Sequence, residues 1–449
     1  MLDFAYLIAA IVASPWIAYR LIARGDRLSV TARFGAGLGD SLHRSIWLHG
    51  SSAGEIALLV PLVQLLERGG IRNPLVISAY SATGYAAACK AFPGRRVIYF
   101  PFDLSFVIAR FFRRFDPCLI VIVESEFWPN FLLAANRRKI PVAVVNGRIS
   151  EKSRRFYSAT RFVPMLLRHL SLVAVQTRAN AQRFERLGLQ ADRIHVTGNM
   201  KYDLAHESSL AEAPGVLRAR FGYSDEAVVI LGGSVHERED EALVCAFEAL
   251  AAEQPHARLV LAPRYPRDAG RVAQCAAANG FTTIRKTAID GGSGVAIGPT
   301  DILIVDTLGE LRALYGLADI AFVGGSLFYR GSNRGGHNLM EPAIMGVPVL
   351  FGPYHSSFQD TARALIEADA GYEVRDADSV AEVLRDLLLD AQLRQAAGRR
   401  AREVILKRQG ATSQNFELLY PLINAVNRRL PASSLSATMP PAMTDVDLR

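Results

Sequence analysis

The segment that decides the fold runs from Cys118 to Asn130 and reads CLIVIVESEFWPN. Its first six residues are apolar, and an unbroken apolar run of this length is typical of a strand buried on both faces of a parallel sheet. Pro129 suits the first turn of a helix, because a proline there sacrifices no helical hydrogen bond. The segment is therefore predicted to form a strand, a short turn and a helix.

The same alternation of a short apolar run and a helical pattern repeats along the chain, which predicts βαβ units and parallel sheets. The predicted strands of the first half are 46–50, 74–80, 96–101, 118–124, 140–146, 170–177 and 194–199. After a polar stretch at 206–215, further strands are predicted at 227–234, 257–265, 301–307, 319–326 and 347–353. The economical interpretation is an α/β protein with two doubly wound, Rossmann-like domains that face a cleft.

Composition shifts along the chain mark the predicted boundaries. The predicted organisation is an N-terminal membrane segment at 1–22, a first domain at 28–205, a linker at 206–222, a second domain at 223–405, a C-terminal helix at 406–427 and a tail at 428–449. The tail is rich in Ser, Pro and Ala and is predicted to be disordered. With 50% hydrophobic and 21% charged residues and ordinary numbers of Gly and Pro, the chain is predicted to be neither disordered throughout, nor a collagen-like repeat, nor a polytopic membrane protein.

Charge is distributed unevenly between the two halves. Residues 1–200 contain 26 Lys and Arg against 12 Asp and Glu, whereas the remainder contains 25 against 31. This excess predicts that the first half meets an anion such as nucleic acid, a phosphorylated lipid or an anionic membrane. No basic strand with interleaved aromatic residues and no recognition helix is visible in the sequence, so a nucleic-acid partner is not predicted.

The N-terminal segment from Phe4 to Tyr19 has sixteen residues without a charge. As a helix it is ~24 Å long, slightly less than a ~30 Å hydrocarbon core. Asp3 precedes it and the positive charges follow it, which argues against a signal peptide and places the rest of the chain on the cytoplasmic side. A membrane anchor, spanning or embedded, is the favoured interpretation; a surface helix packed on the protein is the alternative.

Candidate acids and bases follow predicted strands of the first half. Glu55 in HGSSAGEIALL, at 49–59, is either a helix-capping carboxylate or a general base. Glu124 and Glu126 are two residues apart and, in extended geometry, point to one face, either as part of a site or in a structural salt bridge. Lys201 in GNMKYD is either a surface lysine or an anion-binding residue.

Glycine-rich turns between strands and helices in the second half predict a phosphate site. They occur at 232–240, 262–266, 306–311 and 324–342. Such turns present backbone N–H groups to an anion, although none has the spacing of a Walker A or dinucleotide motif. Glu341, one helical turn after Asn338, could bind ribose hydroxyls. Phosphate and ribose groups in one domain, opposite acids and bases in the other, are the layout of a nucleotide-sugar glycosyltransferase.

Several motifs in order resemble those of the 3-deoxy-D-manno-octulosonic acid (Kdo) transferases. They are H-x-x-S-x-G-E at His49, Ser52, Gly54 and Glu55; E-x-E-x-W-P-N at 124–130; G-x-x-K-x-D at Gly198, Lys201 and Asp203; Pro263 with Arg264; D-T-x-G-E-L at 306–311; F-V-G-G-S at 322–326; and G-G-H-N-x-x-E at 335–341. The resemblance extends from the N-terminal segment to about residue 425.

The resemblance implies a GT-B fold and transfer of Kdo, with inversion, from CMP-Kdo to lipid IVA, the lipid A precursor of lipopolysaccharide. It implies that Glu55 is the proton acceptor and that Glu124 and Lys201 stabilise the transition state. The residues implied to bind CMP-Kdo are Pro263, Arg264, Leu308, Gly309, Glu310, Asn338, Leu339, Met340 and Glu341. It implies no cofactor and no metal, and a location at the cytoplasmic side of the bacterial inner membrane.

The basic first half then has a ready interpretation, because lipid IVA carries two phosphates and lies in an anionic membrane. The basic candidates for this contact are Arg113, Arg114, Arg137, Arg138, Lys139, Arg154 and Arg155. Two alternatives remain: another GT-B nucleotide-sugar transferase that acts on a membrane lipid, and a membrane-tethered nucleotide-binding protein without catalysis. The paired carboxylates and Glu55 argue against the second, since binding alone needs no acid on the acceptor side.

Overall fold

The computed structural model describes residues 27–160, 162–205, 214–291, 297–298, 300–331 and 335–428. The chain forms two compact units. The first unit contains the described residues up to Leu204 together with those from Gln409 onward, and the second unit contains the described residues of Ala205–Arg408. Each unit is built on one seven-stranded sheet, and every strand pairing in the two sheets is parallel.

The sheet of the first unit has the order β3-β2-β1-β4-β5-β6-β7. Its strands are β1 (Ser45–Gly50), β2 (Leu75–Ala79), β3 (Arg96–Tyr99), β4 (Pro117–Val123), β5 (Val142–Gly147), β6 (Leu172–Val175) and β7 (Ile194–Val196). All residues of β1, β2, β5 and β6 are buried. Burial on both faces explains why these strands read as continuous apolar runs instead of alternating ones.

Helices connect these strands, and four of the eight described begin at a side chain that caps them. They are α1 (Arg27–Arg33), α2 (Ala53–Arg68), α3 (Ala82–Ala91), α4 (Ser105–Phe115), α5 (Pro129–Arg137), α6 (Glu151–Ala159), α7 (Phe162–Leu167) and α8 (Arg178–Arg186). Ser52, Ser81, Ser150 and Thr177 each accept a hydrogen bond from a backbone N–H of the first turn. Pro129 occupies the first turn of α5, as the sequence predicts.

One face of this sheet is covered by an aromatic core around Trp47. The Trp47 ring is fully buried and contacts Phe111, Phe112, Phe115 and Phe131 at centroid distances of 5.2 to 6.3 Å. Its indole N–H donates to the Ser78 hydroxyl at 2.8 Å. A buried tryptophan therefore holds a central strand against α4 and α5 without leaving its polar atom unsatisfied.

The last described helix, α18 (Ala411–Arg428), belongs to the first unit although the second unit precedes it in the chain. Leu419 and Ile423 of this helix are fully buried in the core on the other face of the first sheet. Asp203 caps its N-terminus: the carboxylate accepts hydrogen bonds from the N–H groups of Gly410 and Thr412, each at 2.6 Å. The first unit is therefore made of two separate stretches of chain.

The sheet of the second unit has the order β10-β11-β9-β8-β12-β13-β14. Its strands are β8 (Val228–Val235), β9 (Ala257–Pro263), β10 (Thr283–Arg285), β11 (Ile302–Ile304), β12 (Ile320–Val323), β13 (Val349–Phe351) and β14 (Gly371–Glu373). Its helices are α9 (Pro214–Arg220), α10 (Glu239–Ala251), α11 (Ala269–Ala278), α12 (Lys286–Asp290), α13 (Leu311–Tyr315), α14 (Met340–Ile344), α15 (Gln359–Glu367), α16 (Ala377–Leu389) and α17 (Ala391–Leu406).

All twelve strands predicted from the sequence are present, and two further strands were not predicted. The two are β10 and β14, each three residues long and each at an edge of the second sheet. A helix also occupies 214–220, within the predicted linker, where Leu217 and the following Phe221 are buried. The prediction of a linker over all of 206–222 was therefore wrong for this part.

The predicted membrane segment at 1–22 and the predicted disordered tail beyond residue 428 lie outside the described residues. Among the residues that the structure describes, no helix is long and apolar enough to cross a membrane.

Candidate active site

Glu55 lies where β1 ends and α2 begins, at the carboxyl edge of the first sheet. Its carboxylate accepts hydrogen bonds from the Ser51 N–H at 2.7 Å and from the Ser52 hydroxyl at 2.9 Å. Its own N–H donates to the Ser52 hydroxyl oxygen at 3.3 Å. The carboxylate thus makes the contacts of a helix cap, and these contacts also fix its position at the edge where α/β proteins bind ligands.

The surroundings of Glu55 favour its protonated form. Burial raises the pKa of Glu55, the hydrogen bond from the Ser51 N–H opposes this shift, and the negative charge of Glu124 adds to it. Burial also raises the pKa of Glu126, although the Ser51 hydroxyl opposes the shift by donating to its carboxylate. A carboxyl with a raised pKa is a better proton acceptor than a solvated one, so Glu55 is suited to general-base work.

Glu124 follows β4 on the neighbouring strand and faces Lys201. The Lys201 Nζ lies 3.6 Å from the Glu124 Oε1, and both side chains are about three-quarters buried. Glu124 adopts a left-handed backbone with φ of 62°. The extended geometry predicted for the Glu124 and Glu126 pair was therefore wrong at Glu124, because the chain turns at this residue. A non-glycine residue held in this region is often found at functional sites.

The turn that carries Lys201 is held from two sides. Asn146, at the end of β5 and also left-handed with φ of 54°, accepts a hydrogen bond from the Met200 N–H at 2.9 Å. Asp203, two residues after Lys201, binds the start of α18 through the Thr412 hydroxyl at 2.6 Å. The Lys-x-Asp spacing therefore directs the lysine to Glu124 and the aspartate to a helix that lies far away in sequence.

An aromatic cluster at the same edge was not predicted. The Arg33 guanidinium, in a side chain only 8% exposed, lies 4.6 Å from the Tyr80 ring centroid and donates to the Phe100 carbonyl at 2.9 Å. The Tyr80 ring stacks on Trp128 at 5.1 Å. Only the E-x-E-x-W-P-N motif pointed to any of these residues, since the others are separated from it by tens of positions.

His49, the first residue of the H-x-x-S-x-G-E motif, has a structural position. It is fully buried in β1, its Nδ1 lies 2.9 Å from the Ser78 hydroxyl oxygen, and its ring contacts Phe100 at 4.2 Å. Burial lowers the pKa of His49 to about 3, so the ring is neutral at physiological pH. We therefore assign it no charge-bearing function.

The basic residues proposed for the acceptor do not share one location. Arg113, Arg138 and Lys139 line a pocket of about 650 Å³ together with Arg44 and Pro117, residues that adjoin the amino ends of the strands. This is the sheet edge opposite Glu55, so these three side chains cannot contact a group bound beside Glu55.

Helix α6 lies at the correct edge, because it follows β5. Arg154 pairs there with Glu151 at 2.7 Å. Arg155 also lies 3.4 Å from Glu151 but its side chain is 77% exposed, and Lys152 is exposed. Of the basic candidates named from the sequence, Arg155 therefore has the accessible position nearest the carboxyl edge.

In the second unit, a buried carboxylate organises the corresponding loops. Glu239 is 1% exposed and accepts hydrogen bonds from the N–H groups of His236 at 3.0 Å and Gly325 at 2.7 Å through one oxygen. Its other oxygen accepts from Ser326 and Leu327, each at 2.9 Å. This carboxylate therefore links the turn after β8 to the turn after β12 by hydrogen bonds. Glu239 was not among the residues predicted from the sequence.

The predicted donor-binding residues lie on three loops at the carboxyl edge of the second sheet. Pro263 ends β9, and the Arg264 N–H donates to the Val235 carbonyl at the end of β8. Asn338 donates through its side-chain amide to the Glu341 carboxylate at 3.1 Å, so these two residues are adjacent as predicted. Burial raises the pKa of Glu341, and its hydrogen bond with Asn338 opposes the shift.

In the loop at 306–311, the predicted donor-binding residues differ in how available their side chains are to a ligand. The Glu310 carboxylate lies 2.9 Å from the buried Lys286 Nζ, so it is engaged in an ion pair inside the unit. Leu308 is 70% exposed and Gly309 has φ of 89°. Leu339 and Met340 are buried, and any contact they make with a nucleotide must come from the backbone.

No group of three His, Cys, Asp or Glu side chains that could hold a metal ion occurs among the residues described by the structure. The acid–base groups thus lie at the carboxyl edge of the first sheet. Arg264 and the Asn338–Glu341 pair lie at the carboxyl edge of the second sheet.

Two parallel, Rossmann-like sheets of seven strands, each with its polar groups at the carboxyl edge, define the GT-B fold. The same fold occurs in the crystal structure of a glycosyltransferase from Rickettsia africae ESF-5, which covers 86% of this chain and 100% of its own, with a TM-score of 0.54 and 15% identity.

Sequence comparison defines the family. The family model described as 3-Deoxy-D-manno-octulosonic-acid transferase (kdotransferase) matches residues 28–204. The 3-deoxy-D-manno-octulosonic acid transferase of Haemophilus influenzae is 31% identical over 85% of this chain and 87% of its own length. The enzyme of the same description from Bordetella pertussis is 34% identical over 86% and 89%. The chain belongs to the Kdo transferase family, a family of lipopolysaccharide biosynthesis, and the family predicted from the motifs is confirmed.

Proposed function

We propose that this Kdo transferase moves Kdo from CMP-Kdo to lipid IVA with inversion at the anomeric carbon, at the cytoplasmic face of the inner membrane. The acceptor hydroxyl attacks the anomeric carbon of Kdo, a new carbon–oxygen bond forms, and the bond to the phosphate oxygen of CMP breaks. The acceptor proton passes to the Glu55 carboxylate, and the bonding electrons leave with CMP. One base is sufficient for such a single displacement, and no enzyme nucleophile is required.

The observation that carries this proposal is the buried Glu55 carboxylate beside the Glu124–Lys201 pair. A carboxylate that is fixed by two donors and has a raised pKa is placed to accept a proton. Lys201, 3.6 Å from Glu124, supplies the positive charge at this edge. A fixed positive charge stabilises negative charge that develops in the transition state, and it does so most effectively where water is excluded.

The second unit supports a nucleotide monophosphate as the leaving group. Arg264 and Arg330 offer positive charge near the carboxyl edge, since both lower the pKa values of His236 and His337 nearby. The Asn338–Glu341 pair offers an amide and a carboxylate, groups that bind ribose hydroxyls. We assign the phosphate to the arginines and the ribose to Glu341.

A lipid acceptor is supported by helix α6 at the carboxyl edge of the first sheet. Phe156 is 66% exposed on this helix and lies next in sequence to the exposed Arg155. Met165, on the following helix α7, is 47% exposed. Exposed aromatic and basic side chains together suit the surface of an anionic membrane, where apolar groups enter the interface and cations pair with phosphates.

The decisive experiment is a transfer assay with CMP-Kdo and lipid IVA, with products resolved by mass. We expect a product heavier than lipid IVA by one or more Kdo residues, and inhibition by CMP at concentrations where UDP has no effect. Inhibition by UDP alone would replace this proposal with another GT-B nucleotide-sugar transferase acting on a membrane lipid. CMP binding without any transfer would favour a nucleotide-binding protein without catalysis.

Membrane attachment is tested separately by vesicle co-sedimentation. Deletion of residues 1–22 should release the protein from membranes and leave transfer to a detergent-dispersed acceptor largely intact. In the truncated protein, the pair Lys152→Glu and Arg155→Glu should further weaken binding to phosphatidylglycerol vesicles. The matched control is Arg113→Glu with Lys139→Glu at the opposite sheet edge. Equal effects of the two pairs would show that binding depends on overall charge and not on α6.

A further inference from the structure

Two histidines of the second unit contact each other side chain to side chain. His236 follows β8 and His337 precedes the Asn338–Glu341 pair, and their Nε2 atoms are 3.0 Å apart. The two ring planes are 12° from parallel and their centroids are 5.3 Å apart, as expected when the rings meet edge to edge through their Nε2 atoms. His236 is 9% exposed, and the left-handed Gly325 lies directly against both rings, where a Cβ would meet the His337 ring at 2.9 Å.

The backbone holds the two rings in this arrangement. Glu239 binds the N–H groups of His236 and Gly325 through the same oxygen. The His337 N–H donates to the Gly324 carbonyl at 3.2 Å. Buried hydrogen bonds therefore hold the three segments that position the two histidine rings.

The surroundings of the pair are positively charged. The charged and titratable groups that face it are Arg264, Tyr265, Arg330 and the Glu239 carboxylate on the backbone side. Within the part of the chain that the structure describes, neither Arg264 nor Arg330 is within ion-pair distance of an acidic side chain. Burial and these two arginines lower the pKa of each histidine to about 4, so both rings are neutral at pH 7 in the ligand-free protein.

The hydrogen-bond inventory of two neutral imidazoles limits what the pair can offer. One Nε2 donates its proton and the other accepts it, so one ring has an Nδ1–H and the other a bare Nδ1. Neither Nδ1 has a hydrogen-bond partner among the described residues. If one proton is added, both Nδ1 atoms become donors while the contact between the two Nε2 atoms is kept.

We propose that His236 and His337 form a proton-accepting unit of the anion site, which takes up one proton when the phosphate of the nucleotide binds and then donates two N–H groups toward it. The negative charge of a bound phosphate offsets the positive charges of Arg264 and Arg330. It therefore favours the protonated form of the histidine pair. The proton comes from solvent and returns to it when the nucleotide leaves. This inference rests on the proposed function, because it takes CMP as the ligand.

Isothermal titration calorimetry with CMP, between pH 5.5 and 7.5 in buffers of different ionisation enthalpy, tests the unit directly. The wild-type protein should take up a fraction of one proton per CMP that increases as the pH falls. Cytidine, which lacks the phosphate, should bind without uptake. His337→Asn should abolish the uptake, and its CMP affinity should fall by about fivefold or more at pH 5.5 and less at pH 7.5, because the lost contact is a charge-assisted one.

Two further variants make the result unambiguous. His236→Gln should reproduce the loss of proton uptake, so a folding defect in His337→Asn alone does not decide the matter. His256→Asn is the matched control, because the His256 side chain is 61% exposed and lies 3.8 Å from Glu226, outside the anion site. Equal proton uptake in wild-type and both variants would overturn the inference and leave CMP as the ligand. Failure of the wild-type protein to bind CMP would instead remove the proposed donor, and the inference with it.

Discussion

The two sheets use the same edge for opposite kinds of chemistry. At the carboxyl edge of the first sheet, the charges of Glu124 and Glu126 act on Glu55, and Glu124 pairs with Lys201. At the carboxyl edge of the second sheet, Arg264 and Arg330, which have no acidic partner among the described residues, adjoin neutral histidines. The fold therefore determines that a ligand can bind at the carboxyl edge of each sheet. The loops determine whether the side chains at that edge are suited to accept a proton or to bind an anion.

A buried glutamate also has a different role in each unit. Glu55 has neighbours that raise its pKa and lies at the start of a helix on the edge of the sheet. Glu239 is enclosed and binds four backbone N–H groups. The first arrangement leaves Glu55 able to accept a proton. The second makes Glu239 a structural link between two loops. The predictions below test this contrast, beginning with the largest effect.

Glu55→Gln should reduce kcat at least ~100-fold, because general-base assistance is worth ~10²–10⁴ in rate. Glutamine keeps the size of the side chain but cannot accept the proton. The affinity for CMP and the melting temperature should change little. Glu67→Gln, on the same helix and half exposed, is the control. Turnover within a few-fold of wild type would make Glu55 only a helix cap and Glu126 the next candidate.

Glu239→Gln should lower the free energy of unfolding by about 2–3 kcal/mol, since it removes half of a set of charge-assisted hydrogen bonds and brings a buried amide to backbone donors. The measurement is urea unfolding of wild type and variant. An unchanged midpoint together with a loss of turnover would contradict the structural role and would make the two glutamates alike.

Lys201→Met should reduce kcat by about 10²-fold with little change in CMP affinity, because one fixed positive charge is typically worth that much in a transition state. Lys201→Arg should recover part of the loss. Lys90→Met, at an exposed position in the last turn of α3, serves as the control for simple loss of charge. An effect confined to KM would place Lys201 in acceptor binding instead of in the reaction.

Glu341→Ala should weaken CMP binding by about 1–3 kcal/mol, the range for a charge-assisted hydrogen bond to a buried group. Calorimetric titration with CMP measures this loss, and Glu226→Ala, exposed and before β8, is the matched control. Unchanged affinity in a folded variant would remove Glu341 from the nucleotide site.

Glu126→Gln should give the smallest effect, a displacement of the acid limb of the kcat profile toward lower pH. The sign follows from charge: Glu126 is one of the groups that raise the pKa of Glu55, so its neutralisation lowers that pKa and keeps the base ionised in more acidic buffer. The profile of kcat against pH measures it. A displacement toward higher pH would mean that Glu126 does not face Glu55 as described.

The sequence was sufficient for most of the sheet and for part of the site. Strands such as the one predicted at 118–124 were visible because burial on both faces requires a continuous apolar run, here residues 118–123. β10 and β14 were not visible, because an edge strand of three residues needs few apolar side chains. Glu55, Glu124 and Lys201 were identified from motifs next to predicted strand ends.

The remaining parts of the site depend on contacts between distant residues. The sequence ESEF at 124–127 does not by itself predict the left-handed backbone of Glu124. The chain turns at this residue because β4 has just ended. The His236–His337 pair joins residues 101 positions apart, and Arg33 reaches Tyr80 across 47 positions. Such neighbours are set by the order of strands within a sheet, which a hydrophobic pattern does not specify.

The split composition of the first unit has a consequence for the order of events during translation. Residues 27–204 leave the ribosome first, but α18, whose Leu419 and Ile423 complete their core, is made only after the entire second unit. Until then the Asp203 carboxylate lacks the Gly410 and Thr412 donors, and an apolar face next to α2 stays uncovered. The nascent chain therefore carries an incomplete first unit while the second unit can already fold.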